Sequence, residues 1–367
     1  MKLESLLKNE GISIVRELTK TELKTIAKDI SIKLCLAFPE LNLSRNDLFK
    51  AFSSIKMYLA NLPNDFSGAK YILENNSIYF NNDLPFENIP NTAMHECIHF
   101  IQHYNMTSKF GLSNSSKGLA LNEAAVQLMA SEANMHEATE VKYFDISLKT
   151  TSPDYYPLEC ALLNQVTYFT GSYPLFNSVL FSNDIFKNTF ITKYNQKMYS
   201  NIIKKLDTLL NLENELNSYI EELTYAKNQK EIDNLNTYIN YKKQKISTLF
   251  FQTQNYIMKN CFNYEFNNIR NLDDIHDFKN KLYEYKNIIG YNENYTFYND
   301  FYCSMMNILE TKKEYIKTHG SISLLNSECT AMVVIDKSKT KLAFLKTFFR
   351  KLKELFKSEV SKDYINE

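Results

Sequence analysis

The chain has 367 residues, of which 42 are basic and 42 acidic, so its formal net charge is zero. This balance provides no overall positive field of the kind that attracts nucleic acid, and we expect no nucleic-acid partner. No apolar run reaches the roughly 18 residues that a membrane span requires. With only seven glycines and seven prolines, the sequence predicts few turns and long helices.

The first sixteen residues mix charged side chains with leucine and isoleucine, and they lack the apolar core of a secretory signal peptide. We therefore expect a cytoplasmic protein. The six cysteines form no CxxC pair and are expected to be reduced and mostly buried.

The first half of the chain divides into two regions. Residues 1–62 carry apolar side chains at helical spacing and predict an N-terminal helical segment. Residues 63–195 form a second region that begins with two short β-runs around an Asn-Asn turn, between Ala69 and Phe80. Together these patterns predict a mainly α fold with a small antiparallel β-sheet, an α+β class.

The most informative stretch is His95-Glu96-Cys97-Ile98-His99, which has the form HExxH. Histidines four residues apart lie on one face of a helix, so both rings can reach one metal ion. Glu96 lies beside that face, where its carboxylate can act as general base toward an activated water. The alternative interpretation is that three common residue types fell into this register by chance.

A catalytic zinc site usually has three protein ligands and an open position for water. The segment from Leu121 to Ala130 has the composition of a helix, and it follows a connection rich in glycine and serine. Two antiparallel helices would bring Glu123 to the face that carries His95 and His99. Alternatively, Glu123 is only a first-turn carboxylate that interacts favourably with the helix dipole.

An HExxH motif followed on a second helix by Asn122-Glu123 resembles the gluzincin group of zinc metallopeptidases, which have a thermolysin-like architecture. The resemblance extends over about residues 56–190. It includes the β-runs and the segment from Tyr155 onward, which resembles the helical second half of bacterial members. A zincin-like core built on an HExxH active-site helix is the fold that this resemblance implies for residues 63–195.

The resemblance also implies a set of site residues. These are the zinc ligands His95, His99 and Glu123, the general base Glu96, and the oxyanion-stabilising Tyr156, with Tyr155 as a rival. The implied activity is a zinc-dependent metallopeptidase that cleaves peptide or protein substrates, with the strand Ser77 to Phe80 aligning the substrate by backbone pairing.

One residue departs from the family pattern. Many gluzincins carry an acidic residue four positions after the ligand glutamate, and this chain has Gln127 there. A neutral amide can accept an imidazole N–H, but it polarises the ring less than a carboxylate does. The alternatives to a peptidase are therefore a catalytically inactive zinc-containing regulatory or protein-binding module, and a helical interaction protein with an accidental motif.

Other polar residues near the motif receive structural interpretations. His103 continues the spacing but lies about 12 Å along the helix axis from His95, too far to share one ion with it. Gln102 and Tyr104 are interpreted as helix packing and surface.

Residues 196–335 predict long, coiled-coil-like helices, and the polar stretch Thr224 to Glu231 predicts either a turn or a stutter. We favour a scaffold role for this region over a docking arm. Residues 336–367 predict a basic amphipathic C-terminal helix. It could lie on an anionic membrane surface or bind an acidic partner, but an ordinary terminal helix packed on the body is favoured.

Overall fold

The computed structural model describes residues 3–63, 68–104, 110–113, 117–290 and 296–321. The chain divides into two compact units. The first contains Met1–Tyr264 and Leu282–Tyr302, and the second contains Glu265–Lys281 and Cys303–Glu367. The protein is mostly helical with a small mixed sheet, which confirms the expected α+β class.

The strands and the helices between them come mainly from the first half of the chain. The strands are β1 (Ser13–Glu17), β2 (Lys56–Asn61), β3 (Ala69–Ile72), β4 (Ser77–Asn81), β5 (Thr139–Tyr143) and β6 (Ile146–Thr150). The accompanying helices are α1 (Leu3–Asn9), α2 (Lys20–Ala37), α3 (Arg45–Phe52), α4 (Ile89–Tyr104), α5 (Leu119–Ala133) and α6 (Pro157–Thr170). The remaining helices are α7 (Tyr173–Phe181), α8 (Ile185–Lys193), α9 (Gln196–Tyr225), α10 (Gln229–Asn267), α11 (Leu272–Ile288) and α12 (Thr296–His319).

The main sheet has the strand order β1-β2-β4-β3. It is mixed rather than antiparallel, because β2 runs parallel to β4 while the other two pairings are antiparallel. Strands β5 and β6 form a separate antiparallel pair. The prediction of a purely antiparallel sheet was therefore wrong, since the pairing direction of β2 depends on tertiary structure that a local pattern does not encode.

Residues 1–62 contain two strands as well as three helices, so the structure differs from the expected helical segment. Strand β2 buries Met57, Tyr58 and Ala60. An apolar run this short is compatible with either a helical or an extended period. Because β1 and β2 pair with each other and β2 pairs with β4, this segment is part of the same sheet as β3 and β4.

The order of the strands determines which of them could pair with the backbone of a substrate. Strand β4 lies between β2 and β3, so its backbone is paired on both sides. The expectation that Ser77 to Phe80 aligns a substrate by backbone pairing was therefore wrong. Among the described strands of this sheet, β3 and β1 are the edges.

Helix α4 lies at the centre of the first unit. It packs against β3 and α2, and also against α5, which in turn contacts α6 and α9. The contact with its neighbours buries Ala93, Met94, Cys97 and Ile98. This packing is the reason that a 16-residue segment with two ligand-type histidines has a fixed orientation.

The long helices α9 and α10 form an antiparallel hairpin whose break falls at residues 226–228. The polar stretch between them is thus a turn, one of the two predicted alternatives. The ring of Tyr219 stacks on that of Tyr238, with 5.6 Å between centroids.

In the second unit, the Phe266 and Phe278 rings pack edge to face, and Lys312 Nζ donates a 2.6 Å hydrogen bond to the Phe266 carbonyl. The predicted basic helix at residues 336–367 lies outside the described residues. Among the described helices, none combines the length and apolar character needed to cross a bilayer.

Candidate metal centre

Helices α4 and α5 supply the predicted ligands from facing surfaces. His95 and His99 lie one turn apart on α4, and Glu123 lies in the first two turns of α5. Among the described residues, these form the one group of three or more His, Cys, Asp or Glu side chains close enough to hold a metal ion.

The spacing of the ligand atoms fits a single small cation. The two histidine Nε2 atoms are 3.0 Å apart, and Glu123 Oε2 lies 3.4 Å from His95 Nε2 and 3.3 Å from His99 Nε2. Three ligands of a tetrahedral zinc ion, with bonds of about 2.0–2.1 Å, stand about 3.3 Å from one another. The three atoms therefore form a triangle of the size of one tetrahedral face.

Glu123 and His99 each stabilise the charged form of the other. Burial by itself lowers the pKa of His99, but the charge and hydrogen bond of Glu123, together with Glu96 and Gln102, raise that pKa to about 9. Burial likewise raises the pKa of Glu123, and the two histidines outweigh it so that the pKa falls well below its usual value. Glu123 is consequently ionised, which is the form in which a carboxylate binds a metal.

Each imidazole is oriented by a glutamine. His95 Nδ1 lies 2.8 Å from Gln127 Oε1, and His99 Nδ1 lies 3.0 Å from Gln102 Oε1. An amide oxygen accepts a hydrogen bond, so each contact favours the proton on Nδ1 and leaves Nε2 free to bind a metal.

The role of the Gln102 side chain differs from the sequence interpretation, which assigned it to helix packing and surface. Its side chain is buried and contacts a candidate ligand three residues earlier on the same helix. The (i, i+3) spacing from His99 was the available signal, because side chains at that spacing are neighbours on a helix.

Gln102 also connects the centre to the segment before α5. Its amide donates a 3.0 Å hydrogen bond to Asn122 Oδ1, which also accepts the N–H of Leu112 at 3.0 Å. Gly111 lies against these two side chains with a φ of 55°, and a Cβ there would overlap Asn122 Oδ1. A continuous network of hydrogen bonds therefore runs from His99 through Gln102 and Asn122 to the backbone of Leu112.

Glu96 contacts the edge of the sheet. Its Oε2 accepts a 2.8 Å hydrogen bond from the backbone N–H of Tyr71 in β3. Because β3 pairs with β4 through its other edge, this N–H belongs to the open side of the strand. The carboxylate therefore lies between the metal ligands and the edge strand.

Tyr156 faces the centre, and the Tyr155 hydroxyl lies at another place. The Tyr156 ring stacks near His95 with 6.3 Å between centroids, whereas the Tyr155 hydroxyl lies beside Gly68 at the start of β3. Tyr156 precedes α6 with a left-handed φ of 50°, which turns its side chain out of the helix start. Burial, followed by the charges of Glu123 and Glu96, raises the pKa of Tyr156 well above its usual value.

His103 lies away from the ligand atoms, and its Nδ1 is 2.9 Å from the Tyr71 hydroxyl. It therefore packs between α4 and the edge strand.

No family model, curated protein or solved structure matches this chain. Its function is therefore inferred from the donor set and the geometry of this centre.

Proposed function

We propose that this protein is a zinc-dependent metallopeptidase in which His95, His99 and Glu123 hold the ion. The observation that carries the proposal is the triangle of two imidazole nitrogens and one carboxylate oxygen, 3.0–3.4 Å on a side, with Glu96 adjacent. Two nitrogens and one oxygen are a ligand set that suits zinc, and three protein ligands leave a position for chemistry.

The zinc ion, when bound, would polarise the substrate carbonyl and make water more acidic. Glu96 then acts as general base: it takes the proton of the attacking water and passes it to the leaving amine. Its hydrogen bond from Tyr71 N–H holds the carboxylate in place for both transfers.

Tyr156 is proposed to donate its hydroxyl proton in a hydrogen bond to the oxyanion of the transition state. Its position supports this role, because the Tyr156 ring stacks near that of the candidate ligand His95. The neighbouring Tyr155 is directed toward Gly68 and is not assigned a role in the reaction.

The edge strand supports a peptide as the substrate. Strand β3 has β4 on one side and the Glu96 carboxylate on the other. Because Glu96 already accepts the Tyr71 N–H, an extended peptide would align by hydrogen bonds to the other backbone groups of this edge and pass close to Glu96.

The first prediction concerns Glu96. Glu96→Gln should retain zinc, because Glu96 is not a ligand, but should lower the rate of peptide cleavage by about 100-fold or more. Cleavage of a mixed peptide library is measured by mass spectrometry with and without a chelator, and zinc by metal analysis.

Glu87→Gln is the matched control, since it makes the same change at an exposed residue just before α4. It should leave both quantities unchanged. Chelator-sensitive cleavage that survives in Glu96→Gln at the rate of the control would contradict the assignment of the general base.

A zinc-containing regulatory or protein-binding module is the second candidate. The specific observation in its favour is that neutral amides, Gln102 and Gln127, orient both imidazoles where a carboxylate would polarise them more strongly. Stoichiometric zinc without chelator-sensitive cleavage of any library peptide would favour this candidate over the peptidase.

A further inference from the structure

The helix that carries Glu123 begins without a capping side chain of its own. The residue before its first turn is Gly118, which has a left-handed φ of 83° and no side chain to accept a hydrogen bond. The first N–H groups of a helix have no partner within the helix and require one from elsewhere.

Asp207 of α9 supplies that partner from a distant part of the chain. Its Oδ2 accepts the N–H of Gly118 at 2.8 Å, and its Oδ1 accepts the N–H of Ala120 at 3.1 Å. A carboxylate at this end of a helix also interacts favourably with the helix dipole. Both oxygens of Asp207 are therefore used to hold the start of α5.

Asp207 belongs to α9, which packs against α5. It lies between the buried residues Leu206 and Leu209. The Asp207 side chain is partly exposed, and the contact of α9 with α5 brings its carboxylate to the start of α5.

The residues fixed by this cap are those that build the metal centre. Asn122 N–H donates to the Gly118 carbonyl at 3.0 Å in the first helical hydrogen bond, and its side chain holds Gln102 and Leu112. Glu123 follows three residues after Ala120, a rise of about 4.5 Å. A rotation or fraying of the first turn would displace the Asn122 amide and the Glu123 carboxylate together.

We propose that Asp207 is a positioning residue for the metal centre, which it acts on through the first turn of α5. This inference rests on the proposed metal binding. It gives the long-helix hairpin a direct part in the site, because α9 sets the place of one ligand. Asp207 is more than 80 residues from Gly118 along the chain and contacts none of the ligand side chains in the hydrogen bonds described.

The test compares two helix caps. Asp207→Ala removes the cap of α5, and Ser44→Ala removes the side-chain cap that Ser44 provides to Asp47 N–H at the start of α3. Zinc Kd is measured by competition with a chelator, and thermal unfolding is measured on the metal-free proteins. Both variants should lower the unfolding temperature, since losing a cap destabilises a protein.

Only Asp207→Ala should weaken zinc binding, by about tenfold, because residues that orient metal ligands typically change affinity by about 10–100-fold. Asp207→Asn, which retains one acceptor oxygen, should bind zinc with intermediate affinity, and it serves as the test if the alanine variant fails to fold. A zinc Kd within twofold of the wild type in a folded Asp207 variant would overturn the proposal. Absence of zinc binding by the wild type would overturn both this inference and the proposed function.

Discussion

Two glutamines set the orientation of the histidines in this centre. Gln127 and Gln102 present amide oxygens to the Nδ1 atoms of His95 and His99, at 2.8 and 3.0 Å. A neutral acceptor fixes the tautomer and the ring plane but donates less electron density to the ring than a carboxylate. We therefore expect the metal affinity of this site to depend on side chains that carry no charge.

Replacing Gln127 tests this dependence. Gln127→Leu removes the acceptor for His95 Nδ1 while retaining a buried side chain of similar length. We expect zinc affinity to fall by about 10–100-fold, because the ring loses the contact that holds Nε2 toward the ion. The measurement is zinc Kd by chelator competition at neutral pH.

Gln165→Leu is the matched control. Gln165 is equally a buried glutamine, and its amide accepts from the Tyr285 hydroxyl and donates to a backbone carbonyl away from the centre. This variant should lose stability but keep its zinc affinity. If both variants weaken zinc binding to the same extent, the effect of Gln127 is one of general stability.

At the scale of elements, α9 contacts α5, which carries Glu123, and α6, which Tyr156 precedes. Asp207 caps α5, and six residues later Glu213 meets Glu159 in the first turn of α6, the helix that Tyr156 precedes. Two oxygens of Glu159 and one of Glu213 are buried without a hydrogen-bond partner in the described part of the chain. A proton shared between the two carboxyl groups joins one oxygen of each group in a hydrogen bond and avoids placing two negative charges together.

The shared proton predicts a pH dependence of stability. Burial raises the pKa of Glu159, so the folded protein retains a proton that the unfolded chain has already lost above about pH 4.3. The free energy of unfolding should then fall as pH rises above that value, by about 1.4 kcal/mol for each pH unit between the two pKa values. Urea unfolding between pH 4 and 8 measures the slope.

Glu159→Gln should reduce this slope, because the amide does not titrate, whereas Glu213, whose pKa burial also raises, should keep its own contribution. Glu222→Gln, an exposed position on α9, serves as the control and should keep the slope of the wild type. Equal slopes in all three proteins would show that the pair does not hold a proton in the folded state.

At the scale of the whole molecule, the features readable from the sequence are those encoded locally. The ligand histidines share one helical turn, and Glu123 lies on the next helix, so spacing and composition were enough to select them. The break between the long helices was visible as a polar stretch in an apolar pattern, although the sequence left a turn and a stutter as alternatives.

Features that depend on distant partners could not be read in the same way. In the sequence, Asp207 is one acidic residue among several on a long helix. Its contact with the start of α5 depends on the packing of α9 against α5. The parallel pairing of β2 with β4 is likewise a property of the folded chain, since Lys56–Asn61 has the same local pattern in either direction. Gln102 was partly predictable, because its spacing from His99 was visible in the sequence but its burial was not.

The most direct test of the central claim is the zinc content of the purified wild-type protein after equilibration with zinc and removal of excess metal. We expect one zinc ion per chain in the wild type. We expect none in His99→Ala, because this variant keeps only two of the three ligands. A wild-type protein that retains no zinc, or a His99→Ala protein that retains as much as the wild type, would contradict the assignment of this centre.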